Sequence, residues 1–531
     1  MRLAEHGTTA GPHASPSRLA WLILALLLGL LALWGLGAAP LFDVDEGAFS
    51  EATREMLASG DWGHTTLNGT DRFDKPIGVY WLQALAVAVL GVNEFAVRLP
   101  SALATWGASL AMAAFVAPRL GWRAAVLAAF IHASSLGSWA MAHAATADAL
   151  LGFCLMLSAL DLWRYLEQPR SAALQRLAVW VGLGVLVKGP VAVLIPLAAL
   201  VLAVLAQRDL GLLWHTLRNG RAWVWLVLIA LPWYGYALWR HGQAFIDGFF
   251  FKHNIERFSA PMEGHAGSWL YFLAVAPLLW MPWSPLLLAL WGQARTVWQD
   301  RVLRQGLIWA AFVLVFFSLS GTKLPHYGLY AAPGMVLLLT FAAQRARAWH
   351  WAVVALLWLG WQVLMVGGPW ALQQHPQWIA QADYRALLAQ SAAHIPWVGV
   401  WLAWAMVALL ALWWRRRAPA QAPQRTVLAV AVMHVLVMAQ VVWPWWAHTL
   451  QDPVRALGIQ ARAWPGAVVQ WDGHWPSFAF YRQQSAPRRE PQPGELALVR
   501  RGTAAAHPDW PVWAEQGSFL LIERPKSEKQ P

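Results

Sequence analysis

Charge is scarce in this chain, and acid is scarcer than base. Only 12% of the 531 residues are charged, with 27 Asp and Glu against 39 Lys and Arg. At 58% hydrophobic residues a soluble protein of this length would lack the polar surface to stay dissolved, which excludes that class. Cysteine is nearly absent. The single Cys154 lies inside an apolar run, so an internal disulfide and a cysteine metal site are both excluded. No internal repeat is found, and the charges do not gather at mid-membrane positions, which counts against a transporter built from two halves. The net charge of +12 does not point to nucleic acid. The bases fall in short clusters between hydrophobic segments, where they report orientation.

What is abundant is hydrocarbon. Apolar segments of about 17–25 residues, the length a bilayer core requires of a helix, recur along the first part of the chain. There are 39 Trp, many near segment ends, as in an interfacial aromatic belt. Residues 19–36 form the first apolar segment, followed by a faint cleavage-like pattern at Ala38-Ala39. The run is longer than a signal-peptide core and many spans follow, so it reads as a retained first span.

The basic clusters set a topology. They occur at Arg119/Arg123, Arg164/Arg170/Arg176, Arg208/Arg218/Arg221, Arg295/Arg301/Arg304, Arg345/Arg347 and Arg415-Arg416-Arg417. The positive-inside rule puts these in the cytoplasm. Residues 39–77, 143–148, 241–268, 321–326, 367–395 and everything after about 447 then face outward, the periplasm of a Gram-negative cell. Residues 77–90 are too short to span and are expected at the outer interface, whereas 96–117 span. Residues 177–206 begin and end beside bases on the same side, so this run must turn back. Lys188-Gly189-Pro190 is the turn, because Pro breaks a helix and Gly permits the bend. The resulting expectation is an all-α polytopic membrane protein of about thirteen spans, amino terminus inside, carboxyl terminus outside. After Trp446 the long apolar runs stop, and short strand-like pieces appear at 467–471, 495–499 and 519–522. The expected division is a membrane domain over 1–447 and a small external α/β domain over 448–531.

The rare charges collect on the outward side. Asp43-Val44-Asp45-Glu46 follow the first span, and an amphipathic stretch comes next, with Phe49, Thr53, Met56 and Leu57 on one side and Glu51, Arg54 and Glu55 on the other. An acid here suits a helix N-cap, but capping does not explain the second acid beside it, so Asp45 and Glu46 are site candidates. Asp74-Lys75-Pro76 reads either as a surface ion pair before a Pro-started helix or as an anion site at headgroup level. Asp148 stands at the outward start of a span, where capping is again the alternative. Lys188 is harder to explain blandly: an ammonium at membrane depth costs roughly 2.5–3.5 kcal/mol on insertion scales unless it is paired or snorkels. The stretch Phe251-Lys252-His253-Asn254-Ile255-Glu256-Arg257-Phe258 interleaves bases with aromatics, as an interfacial helix or a binding loop would. Ser320-Gly321-Thr322-Lys323-Leu324-Pro325-His326-Tyr327 interrupts two apolar segments, and non-helical backbone at membrane depth is tolerated only beside a cavity or within protein. His64, His253, His265 and His326 all map outward, but none pairs at helical ligand spacing. No metal ligand is assigned, and a divalent metal stays open as a cofactor.

These residues resemble a known family. Asp45-Glu46-Gly47, the run from Ala52 to Trp62, Leu67-Asn68-Gly69, Phe73-Asp74-Lys75-Pro76 and Gly91 to Ala102 are similar to the bacterial aminoarabinose transferase branch of the protein mannosyltransferase-like, GT-C glycosyltransferases. Thr146-Ala147-Asp148-Ala149, Lys188-Gly189-Pro190, His253 to Phe258 and Lys323-Leu324-Pro325-His326-Tyr327 continue the match in order. The resemblance covers about residues 20–345; beyond that it follows in architecture. It implies an inverting glycosyltransferase of the bacterial inner membrane, with undecaprenyl phosphate as sugar carrier. It also implies a lipid or glycan acceptor at the periplasmic face, lipid A foremost. A protein O-glycosyltransferase of the same fold is the alternative. The resemblance makes Asp45 the catalytic acid/base, with Asp148 beside it. Lys75, Lys188, Arg257 and Tyr327 are matched to the donor phosphate, and Glu46, Asp74, His253 and Lys323 are further candidates. Two departures stand out: Asp74 where the family more often has Glu, and Ala48 where it commonly has Arg. The second leaves one cation fewer near the acid.

Overall fold

The computed structural model describes residues 16–259, 267–379 and 423–526, with four isolated positions (385, 387, 401, 405) between the last two stretches. The Arg415-Arg416-Arg417 cluster, His265 and much of the expected 367–395 loop lie outside the described residues. Among those described, eight helices are long and apolar enough to cross a membrane, or ten if each of two bent pairs is one span. The bent pairs are Trp122–Ser134 with Leu136–Ala142, at 64°, and Tyr271–Leu279 with Ser284–Leu290, at 107°. Arg18–Leu33, Gly78–Leu90 and Val191–Gln207 are shorter apolar helices. The architecture is thus the expected all-α polytopic one, with a small sheet layer at its end.

The same physics that selected these residues explains where the helices stop. Helix Ser171–Lys188 ends where Gly189 takes a φ of 86°, which a side chain would resist; Pro190 then caps helix Val191–Gln207. A Cβ at 189 would also strike the ring of Phe249. The expected hairpin is therefore present, with Lys188 at its tip.

Gly220–His241 is mostly exposed to its surroundings, with Trp223, Val224, Leu228 and Leu231 uncovered, as a lipid-facing helix should be. By contrast, Asp148–Glu167 and Ala332–Arg345 are buried nearly throughout and form the centre of the bundle.

The sheet layer has four strands in the order Val468–Gln470, Leu496–Arg500, Phe519–Glu523, Val512–Gln516. The first pair is parallel and the others antiparallel. Three strands fall where the alternation placed them; Val512–Gln516 is an additional edge strand. One sheet face packs Leu496, Leu498, Phe519 and Leu521 on Val454, Leu457 and Phe478. The expected boundary at 447/448 falls inside a continuous helix, Trp443–Gln460, so the chain enters the sheet layer without a linker.

This layer clasps the first loop. Asp43 accepts from the Ser477 backbone N–H at 2.8 Å and from its hydroxyl. The Tyr481 hydroxyl takes the Leu41 N–H at 2.7 Å and donates to Glu94. Ser485 donates to Glu55 at 2.7 Å. The polar side of helix Asp45–Ser59 is consequently not a solvent face: Glu51 and Glu55 are buried, and Glu51 is held by a two-pronged bond from Arg54 at 2.6 and 2.7 Å. The expected amphipathic surface helix is instead sandwiched between the membrane part and the sheet layer.

Candidate active site

The first loop carries a two-residue hairpin, Thr66–Leu67 with Thr70–Asp71, turned by Asn68 and Gly69, both at positive φ. The backbone then runs inward through Arg72, Asp74 and Lys75. Burial alone would raise the Asp74 carboxyl, but a His253 contact at 2.8 Å and the Arg72 guanidinium at 3.0 Å outweigh it and hold it well below the usual carboxylate range. His253 is thereby an acid's partner.

Lys75 is buried, with its ammonium on the Asp74 carbonyl at 2.9 Å. Burial, followed by repulsion from Lys188 and Arg257, pushes it down to about 7. Three bases brought this close together favour an anion among them.

Lys188 arrives from the hairpin tip. It donates to Asp148 at 2.5 Å and to the Tyr330 hydroxyl at 2.8 Å, and its charge lies over the Tyr327 ring, 5.2 Å from the centroid. This is the pairing that burial of an ammonium demands; it does not snorkel. Asp148 also accepts from Tyr330 at 2.5 Å and lies 3.5 Å from His326. Its carboxylate is buried and turned to these three partners, so it neither caps its helix nor reaches the cavity.

Arg257 and His253 are four residues apart on the helical run Ile246–Ser259 and so share one side of it. That run is tied to the interrupted segment by backbone bonds from Gly321 and Thr322 to the carbonyls of Phe258 and Arg257. The polar interruption therefore sits within protein, as its position required.

Together these elements enclose a cavity of about 860 Å³. Asp74, Lys75, Lys188, His253, Arg257 and Tyr327 line one part; Val191, Leu194, Leu197, Phe250, Phe316 and Phe317 line the rest. It is a greasy trough with cations at one end.

Besides Asp148, three sequence candidates are not in the cavity lining. Glu46 is buried and fully engaged: Arg98 grips both oxygens at 2.8 and 2.9 Å, and the N–H groups of Ala145 and Phe42 add bonds at 2.7 and 2.9 Å. It anchors the loop from inside. Lys323 donates to the Ser320 carbonyl at 2.5 Å and does not line the cavity; it closes its own loop. Asp45, the first residue of helix Asp45–Ser59, does not line the cavity either. It is exposed at the helix start and acts electrostatically on Arg72 and His326. Arg72 thus supplies a cation beside the acid, where Ala48 supplies none.

Sequence reasoning missed Tyr330, which bonds both Lys188 and Asp148. Its signal was present: Tyr327 and Tyr330 are three apart in the tight helix Pro325–Ala331, whose three residues per turn stack them on one side.

Comparison with known proteins bears on the fold and the family. Residues 74–239 match the family model for dolichyl-phosphate-mannose-protein mannosyltransferase. The chain is 29% identical to an undecaprenyl phosphate-alpha-4-amino-4-deoxy-L-arabinose arabinosyl transferase of Edwardsiella ictaluri, over 75% of this chain and 73% of the relative. It is 34% identical to a transferase of the same description from Pseudomonas fluorescens, over 60% of this chain and 56% of that one, so this match spans just over half the relative's length. The crystal structure of ArnT from Cupriavidus metallidurans bound to undecaprenyl phosphate superposes with a TM-score of 0.78 at 21% identity, covering 97% of this chain and all of that one. That likeness is one of fold. Taken together, the fold and the sequence matches describe a multi-pass inner-membrane protein that is similar to the aminoarabinose transferases in sequence and to a GT-C glycosyltransferase in fold.

Proposed function

We propose that this protein is an inverting glycosyltransferase that takes a sugar from an undecaprenyl-phosphate donor and passes it to lipid A at the periplasmic face. One observation carries the reading: an apolar trough ends in Lys75, Lys188 and Arg257, which suits an amphiphile of long hydrocarbon tail and phosphate head. The relatives named for undecaprenyl-phosphate aminoarabinose transfer support the same donor class.

In the reaction the bond from the sugar anomeric carbon to the phosphate oxygen breaks as the acceptor oxygen attacks from the opposite face. Charge grows on the departing undecaprenyl phosphate. Lys75, Lys188 and Arg257 stabilise it in a site of low dielectric, where preorganised cations count most. Tyr327 borders the same space. Asp148 and Tyr330 are positioning residues that hold the Lys188 ammonium in place. Asp45 takes the proton when the acceptor is a hydroxyl. When the acceptor is a phosphate, its nucleophile is already anionic and Asp45 orients the acceptor or a sugar amine.

Purified protein incubated with undecaprenyl-phosphate aminoarabinose and lipid A should yield lipid A heavier by one sugar. No mass shift with any undecaprenyl-phosphate sugar would remove the assignment. Asp45→Asn should abolish transfer to a hydroxyl acceptor, a loss of about 10²–10⁴-fold for a general base; near-normal turnover would remove that role.

A further inference from the structure

At the base of the β-hairpin, outside the lining of the donor trough, three ligating side chains meet. His64 precedes strand Thr66–Leu67, Asp71 ends strand Thr70–Asp71, and His241 is the last residue of helix Gly220–His241. One ligand atom from each lies within 4.8 Å of the others. His64 Nε2 is 2.9 Å from one Asp71 oxygen, and His241 Nδ1 is 4.0 Å from the other. The imidazole rings are 4.2 Å apart at their centroids, and both pack against Phe73. No hydrogen bond takes up the buried His241 Nε2. None of the three residues lines the donor cavity.

We propose that His64, Asp71 and His241 bind a divalent transition-metal ion of the zinc class. Two imidazoles and a carboxylate are a donor set that such ions take, with a fourth position left for water. Bonds of about 2.0–2.2 Å set tetrahedral ligand atoms about 3.3 Å apart, so the cluster needs only side-chain adjustment. The half-exposed Asp71 leaves an entry path. The neighbouring cation Arg240 is offset by its pairing with Asp61 at 2.6 Å.

The site also has an evident mechanical effect. The hairpin is attached to the long helix through the Trp233 indole N–H on the Gly63 carbonyl at 3.0 Å and through the Arg240–Asp61 pair. A metal would add a third and tighter fastening. Asp71 is three residues before Asp74, so the ion would fix the segment that presents Asp74 and Lys75.

Full-length protein, with any polyhistidine tag removed, should take up about one equivalent of Co(II) per chain, with the visible absorption of a four- or five-coordinate ion. Zn(II) should displace it. His241→Ala and Asp71→Asn should each weaken uptake at least tenfold. In the unaltered chain a chelator should lower the thermal transition and Zn(II) should restore it. A wild-type chain that binds less than about a tenth of an equivalent, or a transition indifferent to both chelator and Zn(II), overturns the proposal. These readings require no turnover, so they stand or fall apart from the transferase assignment.

Discussion

At the scale of single residues, adjacent acids take opposite tasks. Asp45 opens outward, while Glu46 turns in to Arg98. Both members of that pair are buried, and Arg98 also holds the carbonyls of Leu36, Ala39 and Pro40 at 3.1, 2.6 and 2.8 Å. Glu46→Gln leaves a buried guanidinium uncompensated, a cost of about 3–5 kcal/mol. The variant should lose folded protein in a thermal-stability assay, whereas Asp45→Asn should not; equal stability of all three chains would contradict the anchor. The sequence placed both acids in the right loop. It could not say which faced inward, since that depends on an arginine 52 positions away. Lys188 was legible for a physical reason: an ammonium at membrane depth must have a partner. The partner's identity was not, because Tyr330 and Asp148 reach it only through the packing of three separate helices.

Lys75 gives a pH test at the same scale. Its pKa lies below the ordinary lysine value, so the unliganded chain loses this charge as the pH rises through about 7. A phosphate binds the charged form. Donor affinity should therefore be full below that pH and fall above it, by up to about tenfold per unit until the bound-state pKa is reached. Lys75→Arg should flatten the profile. Titration of undecaprenyl phosphate across pH 6–9 checks this, and a flat wild-type profile would refute it.

At the scale of elements, the clasp between the first loop and the carboxyl-terminal sheet layer is the feature the sequence concealed. Hydrophobic runs announced the spans, and alternation announced three strands. Nothing local announced that residues 476–485 would cover helix Asp45–Ser59. Gly47 makes the contact close: a Cβ there would fall on the Asp43 carboxylate and the Ser477 backbone nitrogen. Burial pushes the Asp43 carboxyl up to about 7 in spite of the Ser477 bonds, so the contact is already costly. Gly47→Ala should part the clasp and raise protease cleavage after residue 460 several-fold. Unchanged proteolysis would mean that the layer is held elsewhere.

At the scale of the whole molecule, the fold gathers bases from three distant stretches of chain at one end of an apolar trough. Lys75 comes from the first loop, Lys188 from a helical hairpin and Arg257 from a later helical run. No one of them is a strong signal in sequence; the orientation of the loops gave only an expected common side, and their meeting was expected from the family resemblance rather than from any local pattern. Such a trough should recognise a charged head on a greasy tail. Losing one charge-assisted contact costs about 1.5–3 kcal/mol, or roughly 10–150-fold in affinity. The most direct measurement compares binding of undecaprenyl phosphate and undecaprenol to purified wild-type, Lys75→Ala and Arg257→Ala proteins. Wild-type protein should prefer the phosphate by at least tenfold, and each variant should lose most of that preference. Equal affinity for the phosphate and the alcohol, or a preference untouched by both substitutions, would contradict it.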